Sequence, residues 1–280
     1  MPKLTQLSVR QVRNLESVDI QPHPKLNIIT GANGAGKSSL LESINLLAHG
    51  RSFRTHKYRS VISQHADGLL VRGDIHAESG EEDKVGLQRK RNGETLIRLN
   101  GKNVPGASTL ARTTPLLVVN ADTFRLLDGS PKDRRKFFDW LVFHVKHDFQ
   151  SAWSQLIKCY KQRNTLLRRD KIAYSELEPW DREIDRLSGL IDSYRNEVMA
   201  SLRSELAQLL VGLPEQYQAL ASDDIELGFR NGWRQSGDEA KLSYFEQLQH
   251  AFAKDKAYGY STLGPQKADM IIRQNKVLAV

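Results

Sequence analysis

The eight residues Gly31-Ala32-Asn33-Gly34-Ala35-Gly36-Lys37-Ser38 constrain this chain more than any other stretch. They have the spacing G-x-x-x-x-G-K-S of a phosphate-binding loop, set after the apolar run Leu26-Asn27-Ile28-Ile29-Thr30, which reads as a strand. Glycines let the backbone curl so that successive N–H groups face phosphate oxygens, and the N-terminus of the following helix adds partial positive charge. In that geometry Lys37 reaches the β- and γ-phosphates and the Ser38 hydroxyl holds a Mg²⁺ ion. The residues after the loop carry apolar side chains at helical spacing through Leu47, with Gly50 placed to end the helix. The pattern predicts strand, loop and helix in an α/β fold that binds nucleotide. An ordinary Gly-rich strand–helix turn is the alternative.

At 280 residues the chain can bury one large core, or a core plus a lobe. Its net charge of +8 suits an anionic partner, although a merely soluble surface has the same sign of charge in many proteins. A single cysteine, Cys159, cannot close an internal disulfide and reads as buried filler in a reducing, cytoplasmic setting. No run approaches the ~20 apolar residues of a membrane span, and the N-terminus lacks a signal-peptide core.

Residues 3–20 alternate like two short strands around Arg13-Asn14. Arg51-Ser52-Phe53-Arg54-Thr55-His56-Lys57-Tyr58-Arg59 is basic and free of acids; it reads either as a solvated loop or as a patch facing phosphate, with Arg51 and Arg54 as candidate DNA contacts. Residues 69–104 read as a β-meander, with hairpin turns at Asn92-Gly93 and Asn100-Gly101. Residues 115–119 are a short buried-strand candidate. From Ser130-Pro131 the pattern turns helical: one helix to about His147, a second through Leu167, and a long third beginning after Pro179 and ended by Gly212 and Pro214. Residues 224–229 and 259–280 return to strand-like runs. The expected organisation is an α/β head over 1–125, a helical arm over 126–212 inserted in it, and a return to the head over 213–280.

Charge is uneven. Between Lys132 and Asp170 there are ten Lys/Arg against four Asp, a net of +6. This marks the first two arm helices, Arg134 and Arg135 among them, as a candidate DNA face; a solvated helix surface is the other reading. Hydrolysis would also need an acid at the end of an apolar strand, and Leu116-Leu117-Val118-Val119 is followed instead by Asn120. Asp122, Asp74 and Asp269 are poor substitutes, so whether the chain is an enzyme stays open.

The chain resembles the RecF family of bacterial recombination mediators, whose ATPase head is similar to ABC-type and SMC proteins. The resemblance rests on Arg13-Asn14-Leu15, on Gly31 to Ser38, and on His49-Gly50-Arg51-Ser52-Phe53-Arg54. It also rests on the run Asp122 to Trp140, on Lys161-Gln162-Arg163-Asn164, on Pro179-Trp180-Asp181, and on Gly264-Pro265-Gln266-Lys267-Ala268-Asp269. It implies a P-loop ABC-type head, a mixed sheet plus an antiparallel β lobe, with an inserted helical arm. It further implies ATP with Mg²⁺, and binding of single- and double-stranded DNA at gapped junctions. RecR and RecO are the implied partners, an ATP-dependent homodimer the implied assembly, and recombinational repair, replication restart and SOS induction the implied roles. Ala121 and Gln266 depart from the family's Pro and His. The family's Ser-Arg-Gly-Gln signature segment, Asp-rich strand end and Asp-loop are not found, so a partial form that binds nucleotide poorly and does not close a dimer is expected. A nucleotide-independent DNA- or partner-binding fragment is the alternative function.

Overall fold

The structure, a computed structural model, describes residues 2–77, 80–104, 106–217, 225–233, 241–275 and 277–278. The chain divides into two compact units, residues 1–118 and 119–280.

The first unit is a six-stranded antiparallel sheet in the order β2-β1-β3-β4-β5-β6. Its strands are β1 (Lys3–Val12), β2 (Leu15–Ile20), β3 (Gly68–His76), β4 (Glu82–Lys90), β5 (Thr95–Leu99) and β6 (Lys102–Asn103). Alternation puts Leu7, Val9, Val71, Ile75, Val85 and Leu87 on one buried face. Helix α1 (Lys37–His49) covers that face with Leu46 and Leu47, and each such leucine contributes about 1.5–3 kcal/mol of burial. The helix comes close because β3 carries a glycine beneath it: a Cβ on Gly73 would lie 2.5 Å from a Leu47 methyl. A short helix, α2 (Ala107–Thr113), packs against α1.

The predicted paired strands and meander are present. The two Asn-Gly turns differ, however. Asn100 (φ 51°) and Gly101 (φ 78°) make the expected two-residue link. Asn92-Gly93 instead closes a three-residue loop in which only Gly93 is left-handed and its N–H bonds the Lys90 carbonyl.

Two expected strands do not form. Residues 26–30 join no ladder, with Leu26 and Ile28 71% and 77% exposed. Residues 115–119 also lie outside any strand, with Val119 74% exposed. Apolar β-formers become strands only beside a backbone partner, and among the described residues none lies next to either run.

The second unit begins with a 3₁₀ turn and the short helix α3 (Arg125–Asp128), then α4 (Pro131–Val145). The α4 N-terminus is capped reciprocally by Ser130 and Asp133, with Pro131 in the first turn. Helices α5 (Phe149–Leu167) and α6 (Tyr174–Val211) form an antiparallel hairpin whose seam buries Leu156, Ile184, Leu187 and Ile191. Pro179 lies inside α6 rather than before it. It sits in the second turn, on the exposed side, where a proline removes a single backbone bond. Leu209 is exposed near the helix end.

Strands β7 (Ile225–Arg230), β8 (Asp269–Gln274) and β9 (Val277–Leu278) form a second antiparallel sheet that packs on α4. The strand-like reading at 224, 276 and 279–280 falls outside the described residues. Much of the 259–280 run is loop, and two short helices precede it, α7 (Tyr244–His250) and α8 (Phe252–Tyr258). Arg163 is buried at the centre of this unit. It bonds Asp181 at 2.6 Å and Asp255 at 2.6 Å, all three side chains fully buried, and the Ser261 hydroxyl at 2.9 Å. This cation, part of the basic stretch, faces inward. Cys159 is buried as expected, and burial raises its thiol pKa. Among the described residues no helix is long and apolar enough to cross a membrane.

Candidate functional site

The 31–38 loop lies between the 26–30 run and α1, in the first unit. Gly36 sits at the N-cap of α1 with φ 95°, and a Cβ there would fall 2.6 Å from a Leu15 methyl. No side chain caps α1, and its first turn holds no acid. The unpaired N–H groups of that turn and the positive end of the helix dipole are therefore available to an anion. Lys37 folds back over the loop, its Nζ donating to the Gly31 carbonyl at 2.7 Å and the Ala32 carbonyl at 2.8 Å. Those bonds hold the ammonium beside the loop backbone. Ser38 is exposed on the same side.

The loop is clamped from outside by the β1–β2 turn. Asn14 Nδ2 donates to the Gly34 carbonyl at 2.7 Å, and Asn14 Oδ1 accepts from the Ser39 hydroxyl at 2.8 Å. One residue earlier, Arg13 is left-handed at φ 56°, a conformation that costs a non-glycine residue roughly 1–2 kcal/mol. Its side chain offsets this by gripping Glu42 with two hydrogen bonds, at 3.0 and 2.9 Å, and the Ser60 carbonyl at 2.6 Å.

Glu42 is fully buried on α1, one turn past Ser38, while its neighbour Leu41 is 49% exposed. Besides Arg13 it accepts from the Ser52 hydroxyl and has Arg54 Nη1 at 3.6 Å. Burial pushes its carboxyl pKa up, but the Arg13 and Ser52 hydrogen bonds and the charges of Arg13 and Arg54 outweigh this. The net effect holds it below the ordinary glutamate value. One carboxylate thus ties the β1–β2 turn and the 51–60 loop to the helix that follows the phosphate loop.

Above the loop opens a cleft of about 870 Å³. Arg13, Lys37, Arg54, Arg59 and Arg91 line it together with loop residues 33–38, and among the described residues no carboxylate does. Arg91 holds its far wall, donating to the Ala66, Ser63 and Gln64 carbonyls. Five cations around an open cleft over a phosphate loop suit a polyphosphate. Among the described residues no group of three or more Asp, Glu, His or Cys could hold a metal by itself. A divalent ion here would therefore rest on Ser38 and on oxygens of the ligand.

The four candidate DNA contacts separate. Arg54 faces the cleft, whereas Arg51, exposed, lines a different and smaller cavity on the other side of its loop. Arg134 is ion-paired with Asp269 at 3.0 and 3.1 Å and donates to the Gly129 carbonyl, and Arg135 donates to the Ala268 carbonyl. Their guanidinium groups brace α4 against the start of β8. On the arm helices Lys132, Lys136, Lys158, Lys161, Arg168 and Arg169 are exposed. Sequence reading missed the clamp by Asn14 and the buried Glu42. The second had a visible signal, an acid where the helical period of α1 places an inward side chain.

Residues 3–122 match the model of the RecF/RecN/SMC N-terminal domain. The chain is 46% identical over 280 residues to the DNA replication and repair protein RecF of Saccharophagus degradans, covering all of this chain and 74% of that protein. It is 43% identical over 272 residues to RecF of Cellvibrio japonicus, covering 97% of this chain and 72% of the relative. The solved structure of the recombination mediator protein RecF-ATP in the RecFOR pathway matches with a TM-score of 0.84 at 23% identity, over 99% of this chain and 74% of that one. The structural likeness establishes the shared fold. At the identities of the two relatives, the chain belongs to the RecF family and has a role in DNA replication and repair.

Proposed function

We propose that the cleft over residues 31–38 binds ATP with Mg²⁺ and that its occupancy governs the grip of the chain on DNA. The observation that carries this reading is the cleft itself: a phosphate loop held in shape by Asn14, with five cations and, among the described residues, no carboxylate on its walls. Lys37 and the α1 N-terminus offset the phosphate charge, Ser38 holds the metal, and Arg54 lies where a phosphate would draw it from Glu42. The solved RecF-ATP protein supports the choice of nucleotide.

Within this reading DNA is held through its backbone. Arg51, Arg54 and the exposed arm lysines contribute phosphate contacts, and Arg134 and Arg135 add charge from their braced positions. Binding is then independent of sequence and weakens steeply with salt. Gapped single-strand/double-strand junctions are the DNA substrates, RecR and RecO the partners, an ATP-closed homodimer the active assembly, and SOS induction a consequence.

A second reading, nucleotide-independent DNA binding, is favoured by one observation: residues 26–30, which lead into the loop, have no strand partner among the described residues. Duplex and gapped DNA binding, measured with and without Mg-ATP for the parental chain and for Lys37→Met, separates the two. ATP strengthens binding only in the parental chain on the first reading. Four equal affinities establish the second.

A further inference from the structure

The 51–60 loop faces two ways. Arg54 and Arg59 turn to the nucleotide cleft, while Arg51, Thr55, His56 and Tyr58 line a separate cavity of about 80 Å³ against the sheet. That volume is well above the ~10–15 Å³ that one water needs. Its floor is apolar, formed by Leu46, Val61, Leu69 and Leu87. Its polar wall carries Arg51 and His56 on the loop and Arg89 on β4.

Arg89 is an unusual cation. It is half-buried, stacks on the Tyr58 ring at 5.7 Å and donates through Nε to the Thr95 hydroxyl at 3.0 Å. Among the described residues no carboxylate pairs with Arg89 or Arg51, and burial lowers the Arg89 pKa. Glu42, the nearby buried acid, is already shared by Arg13, Arg54 and Ser52. The Thr55 hydroxyl accepts from the Lys57 N–H, which leaves its own proton to donate. A small cavity with two unpaired arginines, a histidine and a hydroxyl donor lacks only the anion.

We propose that this second cavity is a phosphate site, distinct from the nucleotide cleft, in which Arg51, Arg89, His56 and Thr55 hold one tetrahedral oxyanion. The ligand class is a phosphate ion or a phosphodiester group of a DNA backbone. The inference stands on the cavity and its charges and does not depend on the nucleotide reading.

The test titrates the full chain with inorganic phosphate at low salt, in a Lys37→Ala background that weakens binding at the first cleft. One phosphate binds per chain, and Arg51→Gln weakens it at least tenfold. Arg51 is exposed, so this variant keeps the fold; Arg89→Gln, checked for an unchanged melting profile, gives the same loss. Absence of phosphate binding in the Lys37→Ala chain, or equal affinity with and without Arg51→Gln, overturns the proposal. A short duplex added to the phosphate-loaded chain then identifies the source. Displacement of phosphate makes the occupant a backbone phosphodiester, retention makes it the free ion, and either result supports the oxyanion assignment.

Discussion

Asn14 reaches across from the β1–β2 turn and donates to the Gly34 carbonyl at 2.7 Å, so the shape of the phosphate loop is held by a residue outside it. The same amide accepts from Ser39 at 2.8 Å, on the first turn of α1. Asn14→Ala removes two neutral hydrogen bonds worth about 1 kcal/mol each in ordering the loop. ATP affinity then falls about 3–30-fold, measured by titration.

Gly36→Ala attacks the same loop through its backbone. The left-handed φ of 95° disfavours any L side chain, and the added Cβ meets Leu15. The variant loses about 1–3 kcal/mol of stability by denaturant unfolding, together with its nucleotide affinity.

Glu42 gives a pH signature. Its folded pKa lies below its unfolded value of about 4.3, so its contribution is complete above that value and is lost as pH falls through the folded pKa. The stability gap between the parental chain and Glu42→Gln is therefore wide at neutral pH and narrows below about pH 4. At pH 7 Glu42→Ala, which leaves Arg13 without its buried partner, costs about 3–5 kcal/mol. Unfolding at a series of pH values reads both.

In the second unit Arg163 pairs with two buried carboxylates. Arg163→Met strands Asp181 and Asp255 and destabilises that unit by about 3–5 kcal/mol, read as a lowered thermal transition. An unchanged transition would mean that the network contributes nothing net.

Much of this was legible in advance where local chemistry decides structure. The helix that follows residues 31–38, the strand alternation of 3–20 and the Ser130-Pro131 helix start are specified by neighbouring residues, and they formed as expected. What failed depended on partners far away in the chain. Residues 26–30 have strand composition, but no ladder supports them among the described residues. Pro179 reads as a helix start, yet the packing of Leu177 and Asp181 carries α6 through it. Helices α7 and α8 have seven residues each, too few to display a period. Charge was the least legible property. Arg134, Arg135 and Arg163 look alike in a basic stretch, and only the positions of Asp269, Ala268, Asp181 and Asp255 reveal that they face inward. For the same reason Arg51 and Arg54, three residues apart, serve different cavities.

The central claim is that residues 31–38 cradle a triphosphate. The most direct measurement is the affinity of the full chain for Mg-ATP, by calorimetric titration, beside Lys37→Met. Loss of a charge-assisted contact worth about 1.5–3 kcal/mol predicts affinity lower by roughly 10- to 150-fold in the variant. Equal heats and equal affinity for the two proteins, or no saturable binding by the parental chain, would contradict the account.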